Sequence, residues 1–179
     1  KMQYEVIIAG FGGQGTLYAG QVLAYGGMDE GRHVTWLPSY GPEMRGGTAN
    51  CTVVISDDEI GSPTSLHPTA VIAMNLPSLD KYEPMVKSGG WLIVNEDLVN
   101  RVPARADINI VMVPANTIAR EIGNERAANM VLLGALEANL QILPEGAIEK
   151  SLEVNTGGKL KKFVPLNIEA MRRGAEYKL

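Results

Sequence analysis

The segment Gly10-Phe11-Gly12-Gly13-Gln14-Gly15, set directly behind the apolar run Val6-Ile7-Ile8-Ala9, constrains this chain more than any other. An apolar strand that feeds a glycine-dense turn and then a helix-competent stretch, Thr16 to Tyr25, opens a βαβ unit. Glycines serve such a turn in three ways: they permit tight curvature, close approach of backbone to a ligand, and close packing of helix on strand. Backbone N–H groups then converge beside a helix N-terminus, where the dipole favours negative charge, so the loop suits a phosphate or a carboxylate. Closing the strand–helix corner would account for some of these glycines. Three of them together with Gln14 exceed what a corner needs.

The motif satisfies G-x-G-x-x-G through Gly10, Gly12 and Gly15. A dinucleotide site also places an acidic residue near the end of the second strand, about 20 residues on, for the ribose hydroxyl. Here the second strand, His33 to Pro38, runs into Ser39-Tyr40-Gly41; Asp29 and Glu30 precede it and Glu43 lies beyond it. The ribose clamp is missing, which disfavours a nicotinamide dinucleotide. The second dense signal is Pro38-Ser39-Tyr40-Gly41-Pro42-Glu43-Met44-Arg45-Gly46-Gly47. Its prolines and glycines prevent regular structure, yet it carries an aromatic, a carboxylate and an arginine. In an open α/β sheet, loops at the carboxyl ends of strands line the ligand crevice. Arg45 brings a fixed fork of donors for phosphate or carboxylate, and Tyr40 a flat face and a hydroxyl. A solvated loop with Glu43 and Arg45 paired to each other is the plainer alternative.

Other chemistries find little support. The 179 residues hold one cysteine, two histidines and a net charge of −4. The acidic balance argues against a nucleic-acid footprint, and no apolar run approaches the ~20 residues that span a bilayer. No secretory signal precedes the first strand, and a lone cysteine suits a reducing cytoplasm. Cys51 falls in the apolar pattern Asn50 to Ile55 and reads as a buried strand residue. His33 and His67 are far apart, so neither a metal site nor a nucleophile–base pair is expected, and no residue is assigned a catalytic role.

The remaining pattern alternates strand and helix. Strands are expected at 49–56, 70–74, 91–94 and 108–113, and helices at 77–87, 115–122, 126–140, 145–152 and 165–174. With 45% hydrophobic residues, this reads as one α/β domain over 1–179, with a Rossmann-like, largely parallel sheet, flanking helices and a helical C-terminal third. Asn116 is expected as a helix N-cap and Asn129 in a buried hydrogen bond. Lys159, Lys161 and Lys162 form a basic run that suits either a solvated linker or an acidic partner surface.

The pair Gly-Phe-Gly-Gly-Gln-Gly and Ser-Tyr-Gly-Pro-Glu-Met-Arg-Gly-Gly, at this separation, resembles the gamma subunit of the 2-oxoacid:ferredoxin oxidoreductases. Asn129 to Ala135 resembles the family's later core helix, and Phe163 to Ala170 its terminal helix. The resemblance implies a non-autonomous subunit of an enzyme that oxidatively decarboxylates a 2-oxoacid to an acyl-coenzyme A. Thiamine diphosphate and iron–sulfur clusters would sit in alpha, beta or delta partner subunits, with ferredoxin or flavodoxin as acceptor. This chain has neither a Gly-Asp-Gly thiamine motif nor cluster cysteines. Its gamma-type role would be to cap the active site and help receive coenzyme A, through Gly10, Gly12, Gly13, Gln14 and Gly15 with Tyr40, Glu43 and Arg45. The unfused length leans toward 2-oxoglutarate over pyruvate. Two other readings stay open: a free-standing nucleotide- or coenzyme A-binding protein, and a purely structural docking subunit.

Overall fold

The structure is a computed structural model that describes residues 2–40 and 48–179. Strand β1 (Gln3–Phe11) leads through the glycine turn into helix α1 (Thr16–Asp29), and β2 (His33–Tyr40) and β3 (Thr48–Ser56) follow. Strands β4 (Ala70–Ala73), β5 (Trp91–Asn95) and β6 (Asn109–Val113) alternate with helices α2 (Leu76–Tyr82) and α3 (Ala115–Glu121). Helices α4 (Ala128–Leu140), α5 (Ala147–Asn155) and α6 (Val164–Ala175) complete the order. The sheet runs β2-β3-β1-β4-β5-β6.

The parallel character expected from the alternating pattern holds for β1, β4, β5 and β6. Strand β3 departs from it, pairing antiparallel with both β1 and β2. The cause is covalent: only residues 41–47 separate β2 from β3, too few for the helical crossover that a parallel neighbour requires. The return strand therefore wedges between β2 and β1. It also keeps β2 and β1 pointing the same way, with Phe11 opposite Thr48 and Tyr40 opposite Ala49.

Side chains alternate across the sheet. Val6 and Ile8 enter the larger core with Val53, Ile55 and Ile72, while Ile7 and Ala9 enter a smaller one with Val71, Leu79 and Leu92. Helices α1, α3, α4, α5 and α6 cover the first face; α2 and its 3-10 continuation, Glu83–Met85, cover part of the second. The expected single helix over 77–87 thus ends early, at Tyr82, with Pro84 inside the 3-10 turn. Helix α4 is buried from Ala128 through Leu136, because it is sandwiched between the sheet and α6. That sandwich demands small residues. A Cβ on Gly134 would collide with the Met171 carbonyl oxygen, and one on Gly174 with that of Val131.

Below the smaller core, residues 99–108 are irregular but pinned to one carboxylate. Glu83 accepts from Arg101 Nη1 at 2.8 Å, Ala104 N at 2.6 Å and Arg105 N at 3.1 Å. Burial alone would raise the Glu83 carboxyl, but these donors bring it below the ordinary range.

Candidate functional site

The carboxyl end of β1 and the ends of the β2–β3 pair meet at one edge of the sheet, which is where the two glycine-rich segments were expected to converge. The register fixes this for the boundaries of both: Phe11 lies opposite Thr48, and Tyr40 opposite Ala49. Gly41 through Gly47, and with them Glu43 and Arg45, lie outside the described residues.

The glycines of the first loop do different jobs. Gly10 is a packing position: a Cβ there would meet Gln14 Oε1 at 2.6 Å, Thr16 Oγ1 at 2.8 Å and Met74 Cβ at 3.0 Å. Gly13 and Gly15 adopt φ of +90° and +74°, a region costly for residues with a Cβ. Gly15 is also pressed against Asn129, whose side chain leaves no room for a Cβ. Only Gly13 among these three has open space where a side chain would stand. Gly12 is half-buried and Gly13 exposed. The open surface of the loop is therefore the backbone around Gly13.

Two amides hold this backbone. Gln14 folds back, its Oε1 accepting from Phe11 N at 2.6 Å and from Asn75 Nδ2 at 3.4 Å, while Gln14 N donates to Phe11 O at 3.2 Å. Gln14 thus shapes the loop and ties it to the next strand end. Asn129, buried at the start of α4, donates from Nδ2 to Gly15 O at 3.0 Å. The buried hydrogen-bond role expected of Asn129 is what the structure shows.

Behind the loop, Gly15 stands at the N-cap of α1 with no side-chain hydrogen bond and no acidic residue in the first turn. The first N–H groups of the 14-residue helix carry positive partial charge with no capping side chain to meet it. An open backbone set on such a helix start is a place where an anionic oxygen would be stabilised.

Further along the edge, polar side chains interlock at the ends of β4, β5 and β6. Asn75 caps α2 by accepting from Ser78 N at 3.0 Å. Asn95 donates to Asn116 Oδ1 at 2.7 Å and accepts from Asp97 N at 3.3 Å. Asn116 is not the N-cap of α3, as its place in the sequence suggested; Pro114 holds that position. Asp97 takes over the capping, its carboxylate accepting from Thr117 N at 2.7 Å. Sequence reasoning missed Asn75 and Asn95, although each directly follows or ends a buried apolar strand, where a polar residue reaches the crevice.

The sulfur chemistry is closed. Cys51 is fully buried, its thiol donating to Thr16 O at 3.7 Å, and burial pushes it up to about 12. Among the described residues no group of three His, Cys, Asp or Glu is arranged to hold a metal ion, and no helix is long and apolar enough to cross a membrane.

Known proteins are similar to this chain in sequence and fold. Over 176 residues the chain is 41% identical to the ketoisovalerate oxidoreductase subunit VorA of Methanothermobacter thermautotrophicus, covering 98% of this chain but 36% of that protein. It therefore spans about a third of that relative's length. The crystal structure of a keto/oxoacid ferredoxin oxidoreductase gamma subunit from Geobacter sulfurreducens superposes with a TM-score of 0.82 at 34% identity, covering 97% of each chain. A 2-oxoglutarate:ferredoxin oxidoreductase from Magnetococcus marinus, solved with 2-oxoglutarate, coenzyme A and succinyl-CoA bound, shares the fold at a TM-score of 0.86 and 22% identity, over 99% of this chain and 31% of that one. The pyruvate ferredoxin/flavodoxin oxidoreductase profile matches residues 5–177, and the chain belongs to that family.

Proposed function

We propose that this chain is the gamma-type part of a 2-oxoacid:ferredoxin oxidoreductase, one domain over 1–179, and that its glycine loop receives the anionic end of coenzyme A. The observation that carries this reading is the open backbone at Gly13 in front of the uncapped start of α1, held from behind by Gln14 and Asn129. The overall change is a 2-oxoacid anion plus coenzyme A giving an acyl-coenzyme A, carbon dioxide and a proton, with two electrons leaving to ferredoxin or flavodoxin. Thiamine diphosphate in an alpha or beta subunit supplies the carbanion stabilisation, and clusters in partner chains carry the electrons. This chain has one cysteine, and it is buried, so its own contribution is to bind and orient the acyl acceptor and to shield the site.

The Gly13 to Gly15 backbone meets a phosphate, Arg45 adds a second set of donors, and Tyr40 and Glu43 shape the opening. The complex works in the cytoplasm. The oxoacid is 2-oxoglutarate, the substrate named for a 37% identical relative, the 2-oxoglutarate synthase subunit KorC of Methanothermobacter marburgensis; ketoisovalerate, named for the 41% identical relative, is the comparison substrate.

Arg45→Ala tests the site. In the assembled complex it raises the apparent KM for coenzyme A about tenfold or more, with assembly and oxoacid KM unchanged. An unchanged coenzyme A requirement in an intact complex removes Arg45 from the site. Lost assembly instead favours the reading in which these loops dock onto partner chains. A chain that binds coenzyme A alone and recruits no partner favours the free-standing binding protein.

A further inference from the structure

One side-chain donor in the glycine loop is left unpaired, and a buried asparagine outside the loop decides where it stands. Asn75, 1% exposed, lies two residues beyond the end of β4. Its Oδ1 accepts from Ser78 N at 3.0 Å, which caps α2. A backbone N–H can only donate, so the oxygen must face Ser78 and the Nδ2 end of the amide is left to face the loop. That Nδ2 donates to Gln14 Oε1 at 3.4 Å. The same oxygen accepts from Phe11 N at 2.6 Å, so the direction of the Gln14 amide is fixed in turn by two groups that can only donate. Gly10 supplies the room for it: a Cβ there would stand 2.6 Å from Gln14 Oε1.

With Oε1 engaged twice, Gln14 Nε2 has no hydrogen-bond partner among the described residues, and Gln14 is only half-buried. Nε2 is not one of the buried polar atoms left unpaired, so solvent reaches it. An accessible amide donor one residue from the open backbone of Gly13 adds a hydrogen bond to an anionic oxygen received there. A free glutamine loses rotamer freedom when a ligand immobilises it. Here Phe11 and Asn75 hold it beforehand, so binding does not meet that cost again. Asn75 is too deeply buried to touch a ligand and acts only through Gln14.

We propose that Asn75 is a positioning residue for the acyl acceptor, holding the Gln14 amide so that Nε2 donates to a phosphate oxygen of coenzyme A. This role rests on the function proposed for the loop, the receipt of coenzyme A. Capping α2 accounts for the Oδ1 bond to Ser78 alone; it does not call for a donor aimed at Gln14, 61 residues away in the chain.

Steady-state kinetics of the assembled complex with Asn75→Ser, Gln14→Ala and the double variant test this. Serine caps a helix about as well as asparagine, and its shorter side chain does not reach Gln14. Each single variant is expected to raise the KM for coenzyme A by about fivefold or more, with kcat and the KM for the 2-oxoacid unchanged. The double variant is expected to match Gln14→Ala, because the two residues act in series. An unchanged KM for coenzyme A in Asn75→Ser, or a double variant equal to the product of the two singles, would overturn the proposal. Arg45→Ala separates the two levels of failure. If it raises the KM for coenzyme A and Asn75→Ser does not, the positioning role alone fails; if neither does, the coenzyme A reading of the loop fails with it. Should Asn75→Ser fail to fold, Gln14→Glu keeps an acceptor for Phe11 and Asn75 and lacks the Nε2 donor; an unchanged KM for coenzyme A in that variant also overturns the proposal.

Discussion

Asn129 and Gly15 are 114 residues apart in the chain and form one unit at the candidate site. The glycine supplies the φ and the empty space, and the asparagine supplies the donor that holds the carbonyl in place. Asn129→Ala leaves the Gly15 carbonyl without that partner, at a cost of about 1–3 kcal/mol, and loosens the glycine-loop backbone. Calorimetric titration of the assembled complex is expected to show coenzyme A affinity reduced by roughly tenfold, with the complex still formed. Glu137 gives a prediction on stability. Unfolded, its carboxyl titrates near 4.3; folded, burial raises it to about 7. Between those values the folded chain holds a proton that the unfolded chain lacks, so stability from this group falls as pH rises from about 4.3 to 7 and stays low above. Glu137→Gln is expected to flatten that slope and to be more stable than the parent at pH 8 by about 1–3 kcal/mol. Urea unfolding at pH 5 and pH 8 measures both.

The crossing of α4 and α6 depends on two glycines placed against carbonyl groups of the opposite helix. Gly174→Ala puts a methyl into the Val131 carbonyl and forces the helices apart, costing about 1–3 kcal/mol. Its thermal midpoint should fall by roughly 5–10 °C; an unchanged midpoint would mean the helices do not pack this closely. The loop after β5 behaves differently, because one carboxylate organises it. Glu83 is held below its ordinary range, so its contribution is present above about 4.3 and lost as pH falls through the folded value. Glu83→Gln is expected to cost about 1–3 kcal/mol at pH 7 and progressively less as pH falls below about 4.3, measured by denaturant unfolding.

At this scale the sequence was most readable. The apolar runs Val6–Ala9, Ala70–Met74 and Trp91–Val94 fall on β1, β4 and β5 because buried parallel strands need continuous apolar residues. Alternation of strand and helix suggests a largely parallel sheet, and strand order is the part it could not supply. Pairing is non-local, and only the seven-residue link between β2 and β3 hinted that β3 would turn back. The glycine loop was legible because its φ demands and close contacts restrict the residue type. Its supports, Asn75 and Asn129, were not assigned to it, since a polar residue at a helix start has ample local use and its partner lies far away in the chain.

For the whole molecule, the two edges of one sheet carry different chemistry. The carboxyl edge presents the open glycine backbone and the start of α1; the amino edge presents a carboxylate-lined cleft beside Arg32. In the proposed oxidoreductase, partner chains would carry the redox chemistry, and this chain's part would be the coenzyme A contact proposed at the glycine loop. The most direct measurement is anaerobic purification of the tagged chain from its native cells, followed by assay of viologen reduction with a panel of 2-oxoacids. The account predicts copurified larger subunits and reduction that requires both a 2-oxoacid and coenzyme A. A chain that purifies alone, with no coenzyme A-dependent reduction on any 2-oxoacid, would contradict it.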